Sequence, residues 1–417
     1  MAVRGSPTQR AIETVWRIES PRIIAALARM VRDVGLAEDC AQDALVAALE
    51  RWPDAGVPDN PGAWLVAVAK RRALDELRRR PMQDRKHREL GRQLEAEQDQ
   101  GAAPDEDVGD ALLRLIFTAC HPVLAPEARV ALALRLLCGL TTGEIAHAFL
   151  LPEPTVAQRI VRARRTLAAA RVPFEVPEGA DRTARLASVL EVLYLVFNEG
   201  YAATTGEDWM RPELCEDALR LGRVLAELAP TEAEVHGLVA LMEFQASRAR
   251  ARTDAAGEPI LLPEQNRVLW DRLLIGRGHA ALARAERLGV PFGPYTLQAE
   301  IAACHARAAT AGETDWASIV AFYDALAQVA PSPVVELNRA VAVALAFGPA
   351  AGLDIVDALA VEPRLRGYHL LPSVRADLLA RLGRTEEARQ EFLHAATLAR
   401  NVRERAFLLR RAAACAR

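Results

Sequence analysis

Residues 141–167 end with a helical stretch whose outward side chains are Thr155, Gln158, Arg159, Arg162 and Arg165. Arginine and glutamine can reach guanine and adenine edges in a major groove, and arginine also neutralises phosphate. The chemistry on offer is recognition of duplex DNA. A second basic concentration lies in residues 61–90, nine Lys or Arg against four Asp or Glu. Trp64 stands among these bases, with Lys70, Arg71 and Arg72 close behind. That mixture suits melted DNA, where charge tracks the backbone and rings stack on bases. A third set, Glu38, Asp39, Gln42 and Asp43, forms a helix face of opposite sign. The residues alone leave a plainer reading open for each set: a solvated basic or acidic helix face, and Trp64 in the core.

Elements of defined length must position these groups. Thr141 or Thr142 is a fitting N-cap, and Glu144 lies early enough to complement the helix dipole. Ile145, Ala146 and Phe149 then mark an inward face. Leu151-Pro152-Glu153-Pro154 ends that helix and starts the next, since proline is tolerated in a first turn but not in an interior. Val156, Ile160, Ala163 and Leu167 recur at helical spacing and should pack. The spacing predicts a helix-turn-helix.

Two stretches together resemble the extracytoplasmic-function (ECF) sigma factors of bacterial RNA polymerase. The acidic Ala37-Glu38-Asp39 helix, followed by Trp64-Leu65, Ala69-Lys70, Asp75 and Arg78 to Arg80, is similar to their region 2. That family usually has asparagine where this chain has Arg71, so the asparagine's role does not carry over. Leu124 to Leu167 is similar to region 4, through Leu140, Glu144, Ile145, Ala146, Thr155, Val156, Arg159, Arg162, Ala163 and Arg164. The resemblance covers about residues 8–171. It implies that Thr155, Gln158, Arg159, Arg162 and Arg165 contact an upstream (−35) element, and that Trp64, Lys70, Arg71 and Arg72 engage a melted (−10) element. It also implies that Asp39, Gln42 and Asp43 dock on core polymerase, whose β′ and β subunits are the expected partners beside promoter DNA.

Composition bounds the rest. A chain of 417 residues suggests two to four domains. With 51% hydrophobic and 5% aromatic residues, and alanine and leucine dominant, an all-α protein is expected. The net charge of −3 excludes a bulk nucleic-acid binder, so basic function is local. No long apolar run or signal peptide is present, and a cytoplasmic protein without membrane attachment is expected. Cys40, Cys120, Cys138, Cys215, Cys304 and Cys415 are scattered without a CxxC pair and read as buried thiols, not zinc ligands. Gly276-Arg-Gly278 superficially fits a dinucleotide loop but follows no strand. Neither catalysis nor a cofactor is expected.

Residues 95–110 hold seven acids and no base, which reads as a self-repelling linker. The expected organisation is region 2 over 1–90, an acidic flexible linker over 91–108, region 4 over 109–172, a helical extension over 173–290 and helical repeats over 291–417. In the extension, a helix over 182–197 is expected to stop at Asn198-Glu199-Gly200-Tyr201. Later helices are expected near 297–310, 316–329, 334–347, 351–360, 368–382 and 385–400. Residues 378–395 resemble a tetratricopeptide repeat, although periodicity also permits an irregular bundle.

The stretches Leu195–Tyr201, Trp209–Arg223 and Glu264–Asp271 resemble the sigma-factor group with a fused tetratricopeptide-like extension. Glu264 and Asn266 depart from that group's pattern. The expected function is an alternative sigma factor regulated by its own C-terminal domain, which could hold a peptide or protein partner. The competing readings are a polymerase-independent helix-turn-helix regulator with a ligand- or peptide-sensing solenoid, and a repeat scaffold with degenerate DNA-binding halves.

Overall fold

Alanines at positions 37, 41, 44 and 48 fall on one helix face, and all four are fully buried. Such small residues let neighbouring helices approach closely. The computed structural model describes residues 7–79, 105–149, 151–203, 210–254 and 257–416. Among the described residues there are eighteen α-helices and no strand; Thr253 and Pro259 form an isolated antiparallel bridge. The chain divides into two compact units, residues 1–193 and 194–417.

In the first unit, α1 (Pro7–Val31), α2 (Val34–Ala55) and α3 (Pro61–Arg79) pack on one another. Asp33 caps α2 by accepting from the Leu36 amide at 3.0 Å. The alanine face and Trp52 of α2, Ile23, Ile24 and Leu27 of α1, and Leu65, Ala69 and Ala73 of α3 are all buried where the three helices pack. The acidic linker expected over 91–108 lies outside the described residues up to 104; from Asp105 the chain is helical. This helix, α4 (Asp105–Ala119), forms because Leu113, Ile116 and Phe117 give it an apolar face, and it packs on α1. Next come α5 (Pro126–Leu137), α6 (Thr142–Phe149) and α7 (Glu153–Ala169).

The helix α8 (Gly179–Tyr201) spans the division between the units. Its first half belongs with α4 and α5. Buried Arg129 of α5 donates to Ser188 Oγ and, at 2.9 Å, to Glu191, while Arg185 lies over the Phe117 ring at 5.9 Å. The helix runs on through Asn198, Glu199 and Gly200 and ends at Tyr201, the last residue of the expected stop. Gly200 is also needed for packing, because a Cβ there would lie 2.7 Å from the Cys215 amide nitrogen. The glycine marks a close approach of backbones one residue before the helix ends.

The second unit continues through α9 (Pro212–Leu228), α10 (Ala233–Ser247), α11 (Arg272–Arg287) and α12 (Pro294–Arg307). It ends with α13 (Trp316–Val329), α14 (Pro333–Phe347), α15 (Pro349–Leu359), α16 (Leu370–Arg381), α17 (Thr385–Leu398) and α18 (Val402–Ala414). From α12 onward each helix packs on its neighbours in sequence, and a succession of apolar clusters runs along the chain. That is the organisation of a helical-repeat array, in which each pair covers the apolar face of the next. The expected helices over 297–400 are present within a few residues. Helix α18 was not expected; Asn401 caps it by accepting from the amides of Arg403 at 3.0 Å and Glu404 at 3.3 Å. Gly278 sits inside α11, where a Cβ would lie 2.7 Å from the Phe244 ring, so it serves helix packing and not a nucleotide loop.

Candidate nucleic-acid and polymerase interface

The helix-turn-helix forms as its caps dictate. Thr141 Oγ1 accepts from the Glu144 amide at 3.1 Å, and Glu144 accepts from the Thr141 amide at 2.8 Å, a reciprocal capping box. Burial works against the Glu144 carboxylate, but the Thr141 bonds and Arg17, 2.7 Å away, hold its pKa below the ordinary value. Helix α7 starts with proline in its first turn and buries Val156, Ile160, Ala163 and Leu167. Gln158, Arg162 and Arg165 are exposed, and Thr155 and Arg159 are half-buried at the edges of the same outward face.

On α3, Lys70, Arg71 and Arg72 are exposed. Trp64 is half-buried and meets Trp52 edge to face at 5.4 Å, so one part of it packs while another stays accessible. Arg80 lies outside the described residues. On α2, Asp39 and Asp43 are exposed and Gln42 is half-buried.

Six bases share a property. Arg159, Arg162, Arg165, Lys70, Arg71 and Arg72 form no ion pair among the described residues. Arg162 makes only a long contact of 3.4 Å to Gln158. These cations keep their donors free for an external anion, as phosphate and base-edge contacts require.

Arg164 behaves oppositely. It pairs with Glu38 and, at 3.0 Å, with Asp39, while Arg135 of α5 reaches Glu38 at 2.7 Å. Glu38 is fully buried. Burial disfavours the Arg164 charge, but the two carboxylates outweigh it and raise its pKa. The acidic helix α2 and the second helix of the helix-turn-helix are thus joined through one ion-pair cluster. Sequence reading placed Glu38 on the acidic face and assigned no pairing role to Arg135 or Arg164. A signal existed for Arg164: it lies four residues after Ile160 and three before Leu167, beside the buried stripe rather than opposite it.

Residues 16–81 match the family described as Sigma-70 region 2, and residues 114–167 match Sigma-70, region 4. Residues 185–286 match a family of unknown function, DUF6596. An uncharacterized protein of Rhizobium meliloti (strain 1021) is 44% identical over 400 residues, covering 93% of this chain and 92% of its own length. A probable ECF RNA polymerase sigma factor, SigI of Mycobacterium tuberculosis (strain CDC 1551 / Oshkosh), is 26% identical over 200 residues, 46% of this chain and 68% of that protein. No solved structure matches. No helix among the described residues is long and apolar enough to cross a membrane, and no group of three or more His, Cys, Asp or Glu there could hold a metal ion. With both sigma regions matched in order and the third match beginning in α8, the chain belongs to the sigma-70 family, as a sigma factor of the ECF type with a C-terminal helical extension.

Proposed function

We propose that three helices divide the work of initiation. Thr155, Gln158, Arg159, Arg162 and Arg165 of α7 read the upstream −35 element as duplex. Trp64, Lys70, Arg71 and Arg72 of α3 engage the melted −10 element. Asp39, Gln42 and Asp43 of α2 face core polymerase, chiefly its β′ subunit, with further contacts to β. The carrying observation is the pairing pattern, in which the six proposed DNA-contacting bases keep no internal carboxylate.

Asp43 permits a clean test because it forms no ion pair among the described residues, whereas Asp39 is held by Arg164. Asp43→Arg should weaken co-purification with core polymerase at least tenfold. It should leave the unfolding temperature unchanged, because an exposed helix charge contributes little to stability. Undiminished core binding by this variant would remove α2 as the polymerase-facing surface.

We further infer that core binding at Asp39 competes with its pairing to Arg164, a pairing that leaves the Asp39 side chain 68% exposed.

The extension is assigned a regulatory role, supported by its size and by its array of stacked helices, a form that suits binding a peptide or protein partner. Within one chain even a weak contact acts at high effective concentration. A truncation must keep Arg185, Ser188 and Glu191, which pack on α4 and α5, so the cut belongs after Leu193. Transcription by that shortened chain should either rise or be lost. Unchanged activity with an unchanged response to inducing conditions would contradict regulation.

A further inference from the structure

Two of the sequence stretches singled out in the extension, Leu195–Tyr201 and Glu264–Asp271, are brought together around a set of buried arginines. Arg248, Arg252 and Arg267 are only 8%, 7% and 8% exposed. Arg252 lies 3.5 Å from the centre of the Tyr201 ring. Arg248 and Arg267 lie 5.9 Å and 4.9 Å from the Trp270 ring centre. Trp270 itself is buried. These rings separate and orient guanidinium planes that would otherwise repel one another.

Neither Arg248 nor Arg267 forms an ion pair with a carboxylate among the described residues. Their partners are neutral. Arg248 donates to Tyr201 Oη at 2.9 Å and to Gln245 Oε1. Arg267 donates to the carbonyls of His305 at 2.6 Å and Ala308 at 2.8 Å, and to Thr314 Oγ1 at 3.0 Å. Four donor-capable atoms in the cluster are buried without a hydrogen-bond partner: Arg248 Nε, Arg267 Nε, Trp270 Nε1 and His305 Nδ1. The concentration of positive charge is felt by its neighbours. Burial, then Arg248 and Arg267, push the His305 pKa down to about 3, and burial followed by Arg248 lowers that of Arg267.

Buried cations are ordinarily paired, and a buried donor left unsatisfied calls for an explanation. A cavity of about 110 Å³ adjoins the cluster, lined by Arg267, His305 and Thr314 on its polar side and by Leu262, Trp316 and Leu345 on its apolar side. By the volume share of a liquid water, it has room for roughly four non-hydrogen atoms. We propose that this cavity forms a binding site for a small monocarboxylate, its acid group held by Arg267 beside His305 Nδ1 and its short hydrocarbon body seated against Leu262, Trp316 and Leu345. The apolar wall favours a carboxylate over inorganic phosphate, which has no hydrocarbon to place there. The site lies partly within the stretch matched by the family of unknown function, residues 185–286. As an input to the regulatory role, it rests on the proposed function; as a binding site, it does not.

The test uses the full-length protein with acetate, ethanol, inorganic phosphate and chloride at matched ionic strength, following thermal unfolding and tryptophan emission. Acetate should raise the unfolding temperature saturably by several degrees and change the emission, and ethanol and chloride should do neither. Arg267→Gln should remove the acetate response. Should that variant fail to fold, Val341→Phe fills the cavity wall while leaving Arg267 intact, and it too should abolish the response. An equal response to acetate and chloride would overturn the site. A response to phosphate alone would overturn the carboxylate assignment, and an equal response to ethanol would overturn the role of Arg267. None of these outcomes depends on transcription, so the binding site can fail while the sigma assignment stands, and the reverse.

Discussion

Replacing Arg159 and Arg162 together by alanine will lower promoter affinity of the polymerase holoenzyme by at least roughly 30-fold. The figure follows from about 1–3 kcal/mol for each side chain that reads a base edge. Both belong to the outward face of α7, opposite the buried stripe of Val156, Ile160, Ala163 and Leu167, and neither is engaged by an internal carboxylate. The single variants separate two kinds of contact. A base-reading arginine, when lost, relaxes preference at one promoter position. A phosphate-contacting arginine weakens all sequences alike and reduces the slope of log affinity against log salt by about 0.9. Quantitative footprinting across a salt series distinguishes them. Promoter protection unchanged in the double variant would remove α7 as the reading helix.

Glu38→Gln will destabilise the first unit by roughly 3 kcal/mol. Removing one partner of a buried pair costs about 3–5 kcal/mol because the other charge stays behind. The lower end applies here, since the Arg135 and Arg164 side chains keep 17% and 24% of their surface exposed. For a unit of this size the unfolding temperature should fall by about 6–12 °C. Calorimetry that resolves the two units should show the loss in one transition and not in the other. A change below about 1 °C would mean that the Glu38 cluster does not hold α2 to α5 and α7. Arg164→Gln, which leaves the Glu38–Arg135 pair in place, should cost less.

The helix-turn-helix was legible because local chemistry specifies it. Thr141, Glu144 and the Pro152–Pro154 break act within a few residues of themselves, so caps and periodicity suffice. The repeat helices of the extension were legible for the same reason. What was not legible depends on residues far apart in sequence. Glu38 reads as one more acid on an exposed face until Arg135 and Arg164, 97 and about 126 positions later, close over it. Gly200 reads as a helix stop by local propensity, and α8 does end one residue later, but the packing against Cys215 that also requires a glycine there is not visible locally. Arg248, Arg252 and Arg267 are unremarkable in a chain so rich in arginine. Only folding shows that they meet around Tyr201 and Trp270. The division within α8 was hidden because its apolar periodicity runs unbroken from Leu186 to Phe197, while its two halves serve different cores.

A sigma factor working through α2, α3 and α7 must programme core polymerase to start at particular promoters. Run-off transcription with purified core polymerase, the full-length chain and genomic promoter fragments tests it most directly. Discrete transcripts should appear only when chain and core are both present, and should be lost with the Arg159→Ala, Arg162→Ala double variant and with Asp43→Arg. Sequence-specific binding of the same fragments by the chain alone, without any core-dependent transcript, would instead make it a polymerase-independent regulator.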